Sequence, residues 1–306
     1  MSFTAFKNLN SWSQLVMTGC VAVLSFIVLF SLSILAAIPF IDMHQLSNAL
    51  SGINPDEPST ISLIKYFQVV QSIGLFIIPP IIIGYLFEGN SWNYLNINKK
   101  QGTWVYVLAL ICILGISPFI SYIGTINNDM AFPPAFSEIE NWMKNMEESA
   151  NLMIKRFIQT NSLGGIAFNI LMIAIIPAIG EEFLFRGVLQ KIITSITKNY
   201  HWGIWIAAFV FSALHLQFYG FIPRMILGAL FGYLLVFTGS LRIPIFCHFI
   251  NNLTGVIFLY LEKNGLDFLK TWNESNMDLS LTWPLALGSI VLTIFIMIII
   301  KRKSVN

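Results

Sequence analysis

The sequence predicts an all-α polytopic membrane helix bundle, with about eight transmembrane helices and one interfacial amphipathic helix. Three observations predict it. Of 306 residues, 56% are hydrophobic and only 10% charged, where an ordinary soluble domain carries about 25% charged residues. The apolar residues gather into runs near the ~17–25 residues that cross about 30 Å of hydrocarbon. Nowhere do they alternate with polar residues as strands of a transmembrane barrel would.

The runs fall at about 13–41, 62–87, 103–124, 163–190, 203–218, 221–238, 243–262 and 281–300. The first is longer than a signal-peptide core and lacks a cleavage site, so it reads as a retained span. The fifth and sixth are short and share the turn "FYGFIP" (218–223). Connections 42–60 and 263–279 carry Pro, Gly, Asn and acids and read as solvated. The longest connection, 125–161, is broken by "AFPPAF", after which Ser137 and Glu140 have capping-box spacing. Ile139, Trp142, Met143, Met146, Ala150, Met153 and Phe157 then recur at helical intervals. That pattern predicts a helix in the interface, its apolar face toward lipid or bundle. The chain divides into N-terminal spans and interfacial helix (1–162), a core (163–262), and a last loop, span and basic tail (263–306), all one integral membrane domain.

Formal net charge is +2 and the basic residues are scattered, which excludes a nucleic-acid partner. Cys20, Cys112 and Cys247 lie in apolar runs without metal-ligand spacing and read as small buried apolar residues. With the N-terminus inside, the inner side holds ten Lys and Arg against seven outside, and "KRK" directly follows the last span. The positive-inside rule then puts both termini in the cytoplasm of a cell with a bacterial-type inner membrane.

Charge within a span is costly, so each polar residue there needs a partner or a purpose. In "AIGEEFLFRGVLQ" (178–190), Glu182 and Arg186 stand four apart on one face and can neutralise each other. Glu181 is turned about 100° away, without a partner on its own helix. "FVFSALHLQF" places His215 one turn after Phe211, which reads as packing. "IPIFCHFINNLTG" places His248 and Asn252 on one face. Glu181, His215, His248 and Asn252 are groups that acid–base chemistry on a carbonyl uses, and three helices could bring them to one wet cavity reachable from the cytoplasm.

The ordered motifs EExxxR ("EEFLFR"), FxxxH ("FSALH") and HxxxN ("HFINN") resemble the CPBP family of intramembrane endopeptidases over about residues 163–262. That family contains CAAX prenyl proteases and bacterial proteins linked to bacteriocin processing or self-immunity. The resemblance implies an endopeptidase in which Glu181 and His215 activate a water while His248 and Asn252 stabilise the oxyanion. Glu182, Arg186 and Phe211 are then structural. No cofactor is required in that reading, although Glu181, His215 and His248 are also a ligand inventory for zinc. The expected partners are membrane lipid and a membrane-associated peptide or protein, lipidated or carrying a leader. A non-catalytic immunity protein is the first alternative. A transporter is the second, and it lacks internal repeats.

Overall fold

The structure is a computed structural model that describes residues 6–51, 57–130, 132–265 and 279–304. Most of the expected 263–279 connection, with Lys270, lies outside the described residues. Among those described, the protein is helical throughout, without strands. Seven helices are long and apolar enough to cross a membrane: α1 (Ser11–Phe40), α3 (Pro58–Glu88), α5 (Thr103–Asn128), α7 (Leu163–Thr197), α9 (Phe218–Thr238), α10 (Arg242–Lys263) and α11 (Thr282–Ser304). Shorter helices intervene, namely α2 (Met43–Ser51), α4 (Ser91–Tyr94), α6 (Ser137–Phe157) and α8 (Tyr200–Ala213).

The apolar surface faces outward as well as inward. Val16, Val23, Leu24 and Ile27 of α1, and Val291, Ile294 and Phe295 of α11, are exposed large hydrophobics. In water such contiguous surface would drive association, whereas in a bilayer it meets lipid tails. Inside, Val105, Ala109 and Cys112 of α5 pack with Leu234 of α9, Cys247 of α10 and Ile300 of α11. A second cluster joins Ile83 and Phe87 of α3 to Phe183, Val188 and Ile192 of α7. The protein is therefore an integral, multi-pass membrane helix bundle.

The run 203–218 forms a helix of 14 residues, Tyr200–Ala213, about 21 Å long and short of a full span. The chain completes that crossing irregularly, through Leu216 in the left-handed region (φ 53). The eighth crossing is thus a short helix paired with α9. The 42–60 connection is also more ordered than its composition suggests, because α2 buries Leu46 against Ala37, Leu63 and Phe67. Helix α6 forms, yet without the capping box. Phe136 is its N-cap and makes no side-chain cap bond, while Glu140 pairs with Lys144 at 2.7 Å. The turn Pro134–Phe136 leads directly into the helix and draws Ser137 inside it.

Tertiary bonds sort the connections into two ends. At one end, Ser11 Oγ meets Ser195 Oγ at 2.8 Å, Arg242 Nε donates to Ile97 O at 2.6 Å, and Lys303 lies over the Trp104 ring. Both described ends of the chain lie there. At the other end, Asn127 Nδ2 donates to Phe218 O at 2.9 Å, and Lys65 Nζ to Phe157 O at 2.8 Å. Helix α6 belongs to this second end.

Two proline-bearing spans meet beside the site. A proline inside a helix removes one N–H and collides with the carbonyl four residues back. Here a π-helical turn precedes each, Ile73–Ile77 before Pro79 and Leu171–Ile175 before Pro177. A further π stretch, Glu182–Leu189, carries the acidic motif itself. Wide turns of this kind recur at functional sites. Gly180 permits the contact between the two spans, because a Cβ there would lie 2.8 Å from Phe76 Cβ.

Candidate active site

Glu182 opens the second π stretch of α7, Glu181 immediately precedes it, and the two face different surroundings. Glu182 is fully buried, and its Oε1 accepts Arg186 Nη1 at 2.7 Å and His248 Nδ1 at 2.8 Å. Arg186, also buried, donates through Nη2 to Gly228 O at 3.0 Å. Its guanidinium lies over Phe211 (4.6 Å) and Phe231 (5.5 Å). Gly228 makes room for it, since a Cβ there would stand 2.9 Å from Nη2. The charges therefore neutralise one another across α7, α9 and α10. Truncating one partner of such a buried pair costs about 3–5 kcal/mol.

Glu181 points instead into a cavity of about 530 Å³ that His215, His248, Asn251, Asn252, Gln217 and Arg224 also line. His248 Nε2 lies 3.7 Å from Glu181 Oε2. Because a carboxylate oxygen accepts, the Nδ1 of His248 carries its proton to Glu182 and leaves Nε2 as an acceptor in the neutral ring. Phe231 stacks on that ring at 5.3 Å. His215 is fixed in the same way, with Nδ1 2.8 Å from Phe211 O, and Phe211 stands edge-on to it at 4.9 Å. His215 lies on the same cavity, but among the described residues it has no direct bond to Glu181. The imidazole beside Glu181 is His248. Asn252 Nδ2 donates weakly to Ile173 O at 3.4 Å, and Asn251 Nδ2 to Asn252 Oδ1 at 3.3 Å.

The cavity extends toward the α6 end, where Ile154 and Phe157 line it. A polar node holds Phe157 in place. Asn169 Nδ2 donates to Phe157 O at 2.6 Å and to Tyr260 Oη at 2.7 Å, while its Oδ1 accepts Lys65 Nζ at 2.8 Å. The sequence reading expected the termini and the cavity both to face the cytoplasm; in the structure the cavity reaches the α6 end, whereas the described ends of the chain lie at the opposite one.

Three groups escaped the sequence reading. Glu182 holds His248 as well as Arg186, a contact between helices 66 positions apart that no local spacing reveals. Gln217 and Arg224 line the cavity, although a charge beside Pro223 at the head of an apolar run reads as a loop residue. Two imidazole Nε2 atoms and a carboxylate are donors that zinc accepts. Among the described residues, however, no three His, Cys, Asp or Glu side chains stand together as a metal-holding group. As placed, the residues do not fit the ion.

Fold and site together define a multi-pass membrane protein with an ionisable site in a cavity of its helix bundle. Residues 163–254 match the family described as Type II CAAX prenyl endopeptidase Rce1-like. It is similar to Uncharacterized protein YpbD of Bacillus subtilis (strain 168), 35% identical over 86 residues. That stretch is 27% of this chain and 41% of YpbD, so the match spans less than half of either protein. No solved structure matches.

Proposed function

We propose that this protein is an intramembrane endopeptidase that hydrolyses a peptide bond of a membrane-associated substrate by a water activated at Glu181. One observation carries the reading. Within the segment matching a prenyl endopeptidase family, the Glu181 carboxylate and the His248 Nε2 lone pair stand 3.7 Å apart on one cavity. Glu181 takes a proton from the water as its oxygen attacks the scissile carbonyl carbon. The proton passes to His248 Nε2, and the resulting imidazolium is held by Glu182 through Nδ1–H. Nε2–H, now a donor, stabilises the oxyanion together with Asn252 Nδ2. On collapse of the tetrahedral adduct the C–N bond breaks and the same proton leaves on the amine. One product ends as a carboxylic acid and the other as an amine. His215, with Nδ1 tied to Phe211 O, offers Nε2 as an acceptor that orients the water.

We further place the end carrying the termini in the cytoplasm, on the basic residues gathered there. The test of the reading is turnover of a pool of membrane-associated peptides by the full chain in nanodiscs, followed by mass spectrometry. Glu181→Gln preserves shape and removes the base, and the expected loss is about 10²–10⁴-fold, the usual contribution of a general base. Undiminished cleavage by that variant would refute the assignment of Glu181.

A further inference from the structure

An apolar groove of about 550 Å³ lies between α9 and α11, away from the residues of the hydrolytic steps. Leu230 and Tyr233 of α9, Ile294 and Ile298 of α11 and Trp205 of α8 line it. Helix α9 turns Leu227 and Phe231 to the cavity at Glu181 instead, and no residue lines both hollows. Along α11 the lining runs from Ile290 to Lys301, about 16 Å at ~1.5 Å per residue. Half of a hydrocarbon core about 30 Å thick is ~15 Å. The groove is therefore one leaflet deep.

Charge is confined to one end of it. Among the residues lining the groove Lys301 alone is charged, and it stands at the end of the bundle that holds both described chain ends. Its Nζ lies over the Phe237 ring at 5.3 Å, a contact that holds the ammonium at the groove without neutralising it. Arg302 and Lys303 follow directly. The hydroxyls along the wall are already bonded. Thr293 Oγ1 donates to Ser289 O at 2.9 Å, and Tyr233 Oη meets His201 Nδ1 at 2.7 Å. The wall thus offers a ligand few hydrogen bonds, and a peptide there would leave backbone N–H and C=O groups unsatisfied. An acyl chain carries no such groups, and an anionic headgroup complements the lysine. We propose that the groove is a binding site for an anionic phospholipid, with one acyl chain between α9 and α11 and its phosphate at Lys301. The chain supplies the hold, and the cation supplies the choice among headgroups. This inference stands independently of the endopeptidase reading.

The experiment uses the full chain in nanodiscs of phosphatidylcholine, into which lipids with dibrominated acyl chains are titrated. Bromine quenches tryptophan at short range, and Trp205 on the groove wall is the reporter. Its signal is the difference between the wild type and Trp205→Phe. Brominated phosphatidylglycerol is the anionic probe and brominated phosphatidylcholine the zwitterionic one. Half-quenching of Trp205 is expected at a mole fraction of the anionic lipid about fivefold below that of the zwitterionic one, the effect of one basic residue near the membrane surface. Lys301→Gln removes the difference, whereas Lys301→Arg and Arg302→Gln keep it. Lys301 is exposed at a helix end, so these changes leave the bundle folded. Trp12, exposed on α1 and read out in the same way with Trp12→Phe, is quenched alike by both lipids. Equal quenching of Trp205 by the two lipids overturns the proposal, and so does a preference that survives Lys301→Gln. The same preference at Trp12 overturns it too, because the attraction would then belong to the whole basic surface. Relief of the quenching by water-soluble glycerol phosphate would assign Lys301 to free phosphate and refute the lipid site.

Discussion

Two adjacent carboxylates with one proton chemistry between them depend on which oxygen each already shares. Glu182 Oε1 serves both Arg186 and His248, so Glu182→Gln should lose about 3–5 kcal/mol of stability by leaving Arg186 buried and unpaired. Thermal unfolding in detergent measures this directly. Replacing Glu182 and Arg186 together by leucine should recover part of the stability, since neighbours in one network are not additive. It should not recover turnover, because His248 then lacks the acceptor that sets its tautomer. A double variant as active as the wild type would detach Glu182 from His248 function. Phe211→Ala, which strips the ring packed between Arg186 and His215, should cost about 3–5 kcal/mol and disturb His215 in the same step. The proposed hydrolysis runs through carboxylate and imidazole, so on that reading activity should survive exhaustive chelation and metal-free purification. Stoichiometric zinc, lost and regained together with activity, would reverse that expectation.

At the scale of the element, α7 carries the site because its backbone departs from the regular α-helix. Gly180→Ala would drive a methyl into Phe76 at the α3 contact and should cost about 1–3 kcal/mol, as overpacking does, with activity falling further as Glu181 shifts. Equal losses in the two measurements would argue against a positioning effect. Helix α6 offers a pH test. Burial holds the Glu147 carboxyl above the usual carboxylate range, and Arg224 and the Tyr219 backbone offset this in part. A raised folded value disfavours the charged form. Docking of α6 should therefore be strongest below about pH 4, the unfolded carboxylate value, and weaken as pH rises through the raised one. Hydrogen exchange across 137–157 should show this slope, and Glu147→Gln should flatten it. The contrast between α7 and α6 also shows what was legible. Long apolar runs announced the spans, and the i, i+4 spacing of Glu182 and Arg186 fitted a pair that the structure brings to 2.7 Å. The π turns were not legible, since hydropathy does not register backbone winding; one precedes Pro177, but the stretch Glu182–Leu189 has no proline to announce it. Neither was the true length of α8, whose apolar run continues through Leu214 and Leu216 after the helix has ended.

For the whole molecule, the decisive quantity is which end faces the cytoplasm, because that fixes the side from which a substrate enters. The end with Ser11, Lys99, Lys191, Arg242 and Lys303 gathers the basic residues. The opposite end holds Phe157, Gln217 and the cavity. The orientation proposed from the positive-inside rule has cytoplasmic termini, and on it the cavity would take a substrate from the outer leaflet. Single cysteines test this in a chain whose Cys20, Cys112 and Cys247 have been replaced. Cys112 and Cys247 are buried in helix packing, so alanine is the mildest exchange there. Thr160→Cys, at the α6 end where the Thr160 carbonyl accepts Lys263 Nζ at 3.2 Å, should react with an impermeant maleimide added to intact cells. Ser304→Cys should react only after the cells are opened. The reverse pattern would invert the orientation, leave both termini on one side, and turn the cavity to the cytoplasm. Labelling of both positions from outside would contradict the arrangement of helices itself, because Thr160 and Ser304 sit at opposite ends of the bundle.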